Sequence, residues 1–282
     1  MLQMREASPR PTATDMRRIA SLVYSRSGIA LRPDVKEAMV VARLQKRLRT
    51  GGFARFADYL RHVEQDRTGT ELTALLDALT TNHTSFFREP AHFTLLADRV
   101  LQPLIAQGGL RPITGWSAAC ATGEEPYSMA ITLLDRVPMG QHNRIRLLAS
   151  DLSTRALAAA RTGTYATERV ADVPKLTLRR HFERGLGEQA GLVRIKAHVR
   201  SVIEFKRLNL IDIQILGRTF DFIFCRNVMI YFDREARQRA VTMLERHLAP
   251  NGFLFVSHSE SLSEVQHGLQ RCAPGVYHRS VA

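Results

Sequence analysis

The sequence predicts an α/β fold preceded by a smaller, all-helical domain. Two observations predict it. Residues 12–80 carry apolar residues at helical spacing, whereas beyond them short apolar strands alternate with amphipathic helices. Such alternation is typical of a parallel sheet with helices on both faces. The predicted layout is a helical domain at 12–80, a linker at 81–90 and an α/β domain at 91–282, with a small antiparallel β-subdomain inserted at 165–200.

Four helices are predicted in the N-terminal domain. The first ends at Gly28; the second begins at Pro33 and Asp34 and ends at Gly51 and Gly52. Apolar residues at helical spacing predict the third and fourth helices. The third contains Phe53, Phe56, Tyr59, Leu60 and Val63, and the fourth contains Leu72, Leu75, Leu76 and Leu79. Basic residues surround the second and third helices and form either a solvated face or a docking face for an acidic helical partner. They are Arg43, Lys46, Arg47, Arg49, Arg55 and Arg61.

In the α/β domain, strands are predicted at ITGWSAA, RIRLLASD, VIEFKRLNL, FDFIFCRNV and FLFVSHSE. Helices are predicted at EPYSMAITLLDRV, LSTRALAAARTG and DREARQRAVTMLERHLAPNG, the last ending at Gly252. The alternation fails between Tyr165 and Arg200, where a short helix, a glycine-rich turn and an alternating strand from Leu192 predict the antiparallel insertion. Parallel sheets bind ligands beyond the carboxyl ends of their strands, so we expect the site there.

Composition limits the class of protein. With 282 residues, 45% of them hydrophobic, the chain is long enough to bury one or two real cores. It contains no window near the roughly 18 apolar residues that span a bilayer, and its N-terminus does not resemble a secretory signal. Cys120, Cys225 and Cys272 lack the paired spacing of a zinc site. We expect a cytoplasmic, monomeric protein with buried free thiols and no metal.

The net charge of +13 is concentrated in two regions. Residues 1–80 hold 14 Lys and Arg against 9 Asp and Glu, and residues 165–209 hold 10 against 5. A basic balance suits nucleic acid, an anionic membrane or an acidic protein. The two regions favour an acidic macromolecule contacted at two places; two solvated basic faces are the alternative.

The loop after the first strand, SAACATGEEPYSMAI, indicates the cofactor. A dinucleotide-binding loop carries three glycines, whereas this loop has only Gly123, followed by Glu124 and Glu125. Two carboxylates repel a phosphate but accept the ammonium group of an amino acid. We therefore predict a cationic cofactor without phosphate, S-adenosylmethionine. One glutamate is expected to contact it, and the other to stabilise the helix dipole.

The next strand ends are compatible with a nucleoside. Asp151 can accept both ribose hydroxyls, although it can equally cap the following helix. Asn209 and Leu210 suit the edge and the ring of an adenine, and Asn227 and Tyr231 follow the next strand. Four consecutive strand ends of this kind predict an adenosine site without phosphate.

Five motifs in order, TNHTSFFRE, CATGEEPYS, LASD, LNL and FCRNVMIYF, resemble those of the CheR family, the chemotaxis receptor glutamate methyltransferases. The resemblance runs from about residue 15 to the end. It implies a class I S-adenosylmethionine-dependent methyltransferase fold (Rossmann-like), a helical N-terminal domain and the inserted β-subdomain. It also implies methyl transfer to glutamates in the cytoplasmic helices of methyl-accepting chemotaxis receptors, with S-adenosylhomocysteine as the second product.

The resemblance also implies the roles of individual residues. The cofactor contacts fall on Asn82, Thr84, Arg88, Glu125, Asp151, Asn209, Leu210, Arg226 and Asn227. Tyr231 matches the tyrosine near the transferred methyl group. Tyr231 or Arg88 is expected to orient the substrate carboxylate, with His92 a weaker candidate. A glutamate, with a pKa of about 4.3, is ionised and attacks without a base, so the enzyme mainly aligns the reactants and removes water.

The inserted subdomain is expected to hold a receptor tail, as it does in related enzymes. An open strand edge accepts an extended peptide through main-chain hydrogen bonds. The alternative is a hairpin that only covers the sheet. Two rival functions stay open: a nucleic-acid methyltransferase, and a receptor adaptor that binds S-adenosylmethionine without transferring methyl. We expect no nucleic-acid partner and no membrane insertion.

Overall fold

The computed structural model describes residues 9–31, 37–108 and 111–280. The chain forms two compact units, one of Met1–Thr81 with Tyr231–Asp233 and one of Asn82–Ile230 with Arg234–Ala282. The predicted helix start at Pro33 and Asp34 lies outside the described residues. In the part that is described, no helix combines the length and the apolar character needed to cross a membrane.

Within its described residues, the first unit contains four helices, as predicted: α1 (Ala13–Ser27), α2 (Glu37–Thr50), α3 (Phe56–Gln65) and α4 (Thr70–Leu79). Helix α1 begins at a capping box in which Thr12 and Asp15 each bond the other's backbone N–H, and it ends at Gly28 with a φ of 72°. Helix α1 packs on α3, and α4 packs on both α2 and α3. The apolar faces bury a core that includes Ile19, Val23, Leu44, Leu48, Tyr59, Leu60 and Leu75.

The second unit is the α/β domain. Its helices are α5 (Pro90–Leu95), α6 (Gln102–Ala106), α7 (Glu124–Arg136), α8 (Thr154–Thr162), α9 (Lys175–His181), α10 (Ala197–Arg200) and α11 (Arg234–His247), with a π-helical stretch at Leu96–Leu101. Its strands are β1 (Ile113–Ala118), β2 (Ile145–Asp151), β3 (Thr164–Ala166), β4 (Phe182–Arg184), β5 (Leu192–Ile195), β6 (Ile203–Arg207), β7 (Phe220–Phe224), β8 (Leu248–Phe255), β9 (Gln270–Ala273) and β10 (Val276–His278).

In the described part of the chain, the main sheet has seven strands in the order β6-β2-β1-β7-β8-β10-β9. The first five are parallel, as predicted, and β7 is buried along its whole length. At the other edge of the sheet, β10 runs antiparallel to β8 and β9, which the sequence analysis did not predict. Pro274 and Gly275 form the turn of this hairpin, whose two strands are too short to show a clear alternation in the sequence. Cys272 on β9 is exposed, contrary to the expectation of three buried thiols.

Helix α11 ends at His247 rather than at Gly252, and β8 starts at once with Leu248. Asn251 has a φ of 61°, and the pairing of β8 with β7 shifts register here. A Cβ on Gly252 would lie 2.8 Å from the carbonyl oxygen of Ala249. The glycine therefore permits a close backbone approach in an irregular strand, and does not end the helix.

The insertion forms a second, antiparallel sheet in the order β3-β5-β4. This confirms the predicted β-subdomain as a small antiparallel sheet. The strand from Leu192, β5, lies in the centre and pairs with both neighbours. The edges of this sheet are β3 and β4.

Candidate cofactor site

The predicted cofactor residues of the α/β unit lie at one edge of the main sheet. Because β6, β2, β1 and β7 are parallel neighbours, their carboxyl ends meet. Asp151 ends β2, Asn209 follows β6, and Arg226 follows β7, while Glu125 lies in the first turn of the helix after β1. These residues, which are far apart in the sequence, therefore lie next to one another along one edge of the sheet.

The loop between β1 and α7 has an unusual backbone. Ala119, Ala121 and Gly123 have φ values of 73°, 47° and 102°. The N–H groups of Ala119 and Cys120 both donate to the carbonyl of Ser150, each at 2.8 Å. A Cβ on Gly123 would lie 2.9 Å from the hydroxyl of Tyr165. Positive φ at non-glycine residues is costly and tends to mark ligand sites, which fits the predicted role of this loop.

Asp151 is buried, and its carboxylate is oriented by two backbone N–H groups. Oδ2 accepts from Ala121 and Oδ1 from Ser153, both at 2.8 Å. The cap of α8 is Ser153, whose hydroxyl accepts from the N–H of Ala156. The alternative role of Asp151 as helix cap is therefore filled by its neighbour.

The two adjacent glutamates have different surroundings. Glu124 is completely buried and forms an ion pair with Arg169 of the β-subdomain, which also donates to the carbonyl of Thr84 at 2.8 Å. Glu125 accepts from the hydroxyl of Ser117 at 2.7 Å and from Nε of Arg226 at 2.8 Å. Glu124 is thus tied to the linker and the β-subdomain, and Glu125 is the glutamate at the strand ends.

Arg226 is the most connected side chain of this edge, with only 2% of it exposed. Its Nε bonds Glu125, and its Nη1 lies 2.6 Å from the carbonyl oxygen of Arg88 and 3.3 Å from Nδ1 of His92. The guanidinium also stacks over the ring of Phe224, 5.2 Å from its centre. Planar contacts on several sides are what a guanidinium, unlike an ammonium, can make.

The predicted linker residues lie beside these charges. Thr84 is buried, and Asn82 and Arg88 are half-buried. The backbone carbonyls of Thr84 and Arg88 accept from Arg169 and Arg226, while the side chain of Arg88 contacts the carbonyl of His83 at 3.4 Å. The structure therefore brings the backbone of the linker to the strand ends.

Two site residues that the sequence reasoning missed, Ser257 and Glu260, follow β8. Asn227 has a φ of 59°, its N–H donates to Glu260 and its amide donates to the hydroxyl of Ser257 at 2.7 Å. Burial raises the pKa of Glu260, although backbone N–H donors, including those of Ser257 and Asn227, oppose the rise. The polar segment SHSES directly after a buried strand is the feature of the sequence that points to these two residues.

The other two residues predicted at strand ends differ in their surroundings. Leu210 is buried, and the N–H of Leu208 just before it donates to the carbonyl of Asp151. Tyr231 groups with the helical unit, where its carbonyl accepts from the N–H of Ala30 at 2.8 Å. Its place beside the transferred methyl stays a prediction.

Among the residues that the structure describes, one group of side chains could hold a metal ion: Glu89, His92 and His258. Nη1 of Arg226 lies 3.3 Å from Nδ1 of His92 and 3.5 Å from Oε2 of Glu89. A guanidinium therefore already supplies the positive charge, and a divalent cation would have to displace it. The expectation that no metal is needed stays a prediction.

Comparison with known proteins identifies the family. Residues 82–276 match the model described as CheR methyltransferase, SAM binding domain, and residues 14–80 match the CheR methyltransferase all-alpha domain. The chain belongs to the CheR methyltransferase family. Its cofactor is S-adenosylmethionine, and the family model covers every predicted cofactor residue from Asn82 to Asn227.

Two curated relatives show how far the similarity extends. The chemotaxis protein methyltransferase of Escherichia coli K12 is 42% identical over 267 residues, 94% of this chain and 90% of the relative. Chemotaxis protein methyltransferase 2 of Pseudomonas aeruginosa PAO1 is 39% identical over 269 residues, 94% of this chain and 93% of the relative. Both units of the CheR-family chain are thus included.

Proposed function

We propose that this CheR-family enzyme is cytoplasmic and transfers the methyl group of S-adenosylmethionine to glutamates in the helices of chemotaxis receptors, forming methyl esters. The observation that carries the proposal is the row of Asp151, Glu125 and Arg226 at adjacent strand ends. Asp151 is suited to the ribose hydroxyls. The negative charge of Glu125 and the positive charge of Arg226 are complementary to the ammonium and the carboxylate of an amino acid. The names of the relatives supply the chemotactic context.

The chain's own groups fit a reaction without a general base. S-adenosylmethionine supplies an electrophilic methyl group on a sulfonium. Burial raises the pKa of the Cys120 and Cys225 thiols well above their usual value, and burial followed by the charge of Arg226 lowers the pKa of His92 to about 4. These thiols stay protonated, and the lowered pKa makes this imidazole a weak base, whereas the substrate glutamate is already ionised. The residues named above bind and orient the reactants.

The basic face of α2 is proposed to dock the acidic receptor helices, through fewer residues than the sequence suggested. Arg43 donates to the carbonyls of Leu79 and Thr80 at the end of α4, and Arg47 pairs with Glu71. Both arginines therefore have roles within the helical unit. Lys46 and Arg49 are exposed on the same helix and carry the proposed docking face.

Reversing both charges, with Lys46→Glu and Arg49→Glu, should slow methylation of receptor-bearing membranes several-fold at low salt. The deficit should shrink as salt rises, because the Debye length falls to about 10 Å at 0.1 M. The matched control is Arg239→Glu with Arg246→Glu, two exposed arginines of α11. The affinity for S-adenosylhomocysteine should stay constant in both proteins. Equal rates for the α2 variant and its control at low salt would refute this docking face.

We also propose that the β-subdomain captures an extended receptor tail along β4, an edge strand of its sheet. The N–H of Gly185 donates to the carbonyl of Leu192, and the N–H of Lys196 donates to that of His181. In an antiparallel pair, only every second residue forms hydrogen bonds with the neighbouring strand. The N–H groups of Phe182 and Arg184 therefore point away from β5. Such groups can pair with an added strand, which would raise the effective concentration of the substrate.

Arg184→Pro should abolish binding of a cognate receptor's C-terminal peptide, because proline removes an outward N–H without removing a bond to β5. Arg184→Ala is the control for the lost charge and should bind the peptide. Calorimetry with synthetic tail peptides measures both, and cofactor affinity should not change. If the wild type binds no tail peptide, or if both variants bind equally, the tethering role is wrong.

A further inference from the structure

His92 has surroundings that fix which of its ring nitrogens carries a proton. The side chain is 2% exposed. Nε2 lies 3.3 Å from the carbonyl oxygen of Pro274, which can only accept, so Nε2 carries the hydrogen. Nδ1 is then a bare acceptor, and it faces Nη1 of Arg226 at 3.3 Å. The nearby Oε2 of Glu89, 3.3 Å from Nδ1, is also an acceptor, so the guanidinium is the cation between them.

The turn of the β9–β10 hairpin packs closely against the imidazole ring of His92. Gly275 has a φ of 67°, and a Cβ there would lie 2.5 Å from the carbonyl oxygen of Val256 and 3.2 Å from Nε2 of His92. The ring of Phe255 also packs on His92, with 5.7 Å between ring centres. The imidazole thus contacts the hairpin and β8 on one side and faces Arg226 on the other.

Arg226 connects His92 to Glu125 at the strand ends. A guanidinium is planar and rigid, so fixing Nη1 also fixes Nε. Nη1 is held by Nδ1 of His92 and the carbonyl of Arg88, and Nε bonds Oε2 of Glu125 at 2.8 Å. The other oxygen of Glu125 is held by Ser117. The orientation of both charged groups therefore depends on an acceptor at the position of Nδ1.

We propose that His92 is a positioning residue: its bare Nδ1 accepts from Arg226 and holds the Arg226–Glu125 pair in the orientation that binds the amino-acid end of S-adenosylmethionine. This rests on the proposed function of the strand-end site. His92 would act on the cofactor through Arg226, which its Nδ1 faces. Its loss should weaken binding of the amino-acid end alone.

Two near-isosteric variants separate the functions of the two ring nitrogens. In His92→Asn the amide stands where Nδ1 stood and can accept from Arg226, but it cannot reach Pro274. In His92→Gln the amide reaches towards Pro274 and the acceptor at the Nδ1 position is lost. Calorimetry should show S-adenosylhomocysteine binding weakened roughly tenfold or more by His92→Gln, the loss typical of a hydrogen bond to a charged group. His92→Asn should bind within about threefold of the wild type.

The second ligand is 5′-methylthioadenosine, which keeps the nucleoside and lacks the amino-acid end. Its affinity should be the same for the wild type and both variants. Equal weakening of both ligands by both variants would show a general structural role and overturn the proposal, as would unchanged binding of S-adenosylhomocysteine by His92→Gln. If the wild type does not bind S-adenosylhomocysteine, the proposed function fails instead.

A measurement on the wild type keeps the proposal testable if either variant fails to fold. Nitrogen-15 NMR of the imidazoles distinguishes the two neutral tautomers. The His92 ring should be neutral at pH 7, with hydrogen on Nε2 and a bare Nδ1. A hydrogen on Nδ1, or a charged ring at pH 7, would overturn the proposal.

Discussion

Asp151→Ala should weaken the binding of S-adenosylmethionine by about 1.5–3 kcal/mol, the usual loss when hydrogen bonds to a charged acceptor are removed. This corresponds to a decrease in affinity of roughly 10- to 150-fold. The carboxylate is buried and oriented by the N–H groups of Ala121 and Ser153. It is thus prepared to accept ribose hydroxyls without reorganisation. Calorimetry with S-adenosylhomocysteine measures the change.

The control for this prediction is Ser153→Ala. It removes the hydroxyl that caps α8 and should cost about 0.5–2 kcal/mol of unfolding free energy with little change in affinity. Asp151→Ala also leaves two N–H groups without their acceptor, so its stability must be measured beside its affinity. Unchanged affinity in a folded Asp151→Ala protein would contradict the assignment of Asp151.

Arg226→Leu should lower the free energy of unfolding by about 3–5 kcal/mol, because it leaves buried carboxylates without their cation. The groups affected are the buried Glu125, at 2.8 Å, and the partly buried Glu89, at 3.5 Å, whose Oε2 has no hydrogen-bond partner among the described residues. Urea denaturation at pH 7 measures the loss. Arg226→Lys keeps the charge without the planar fork and should recover part of it.

Both Arg226 variants should also bind the cofactor more weakly. Arg226 is proposed to meet the carboxylate of the amino-acid end, so calorimetry on folded Arg226→Lys protein should show weaker binding of S-adenosylhomocysteine and unchanged binding of 5′-methylthioadenosine. An Arg226→Leu protein as stable as the wild type would mean that the strand-end charges are less tightly coupled than their distances imply.

The parallel part of the fold could be predicted because each of its elements has a local pattern. The apolar run of β7 and the glycine after α8 are visible within a few residues, and so is the alternation of β5 in the antiparallel insertion. The β9–β10 hairpin and the end of α11 were missed for the opposite reason. Three- and four-residue strands carry too little periodicity, and the glycine after Asn251 is required by a close backbone contact rather than by a helix end.

The sequence predicts which residue types form the site, but not which side chains bond to one another there. Glu124 and Glu125 are adjacent in sequence, but their partners, Arg169 and Arg226, are 45 and 101 positions away. The same holds for His92, which meets Arg226 across 134 positions. Local patterns do not contain such pairings, because the sheet topology creates them. Arg43 and Arg47 show the same limit, since their internal partners lie on α4.

The central claim is methyl transfer from S-adenosylmethionine to receptor glutamates. The direct test is transfer of tritiated methyl to receptor-bearing membranes, followed by alkali, which releases methanol from esters. We predict alkali-labile label on the receptor, the same rate with a chelator present, and no label when the acceptor glutamates are replaced by alanine. Label on nucleic acid, alkali-stable label, or no transfer by a protein that binds S-adenosylmethionine would contradict the account.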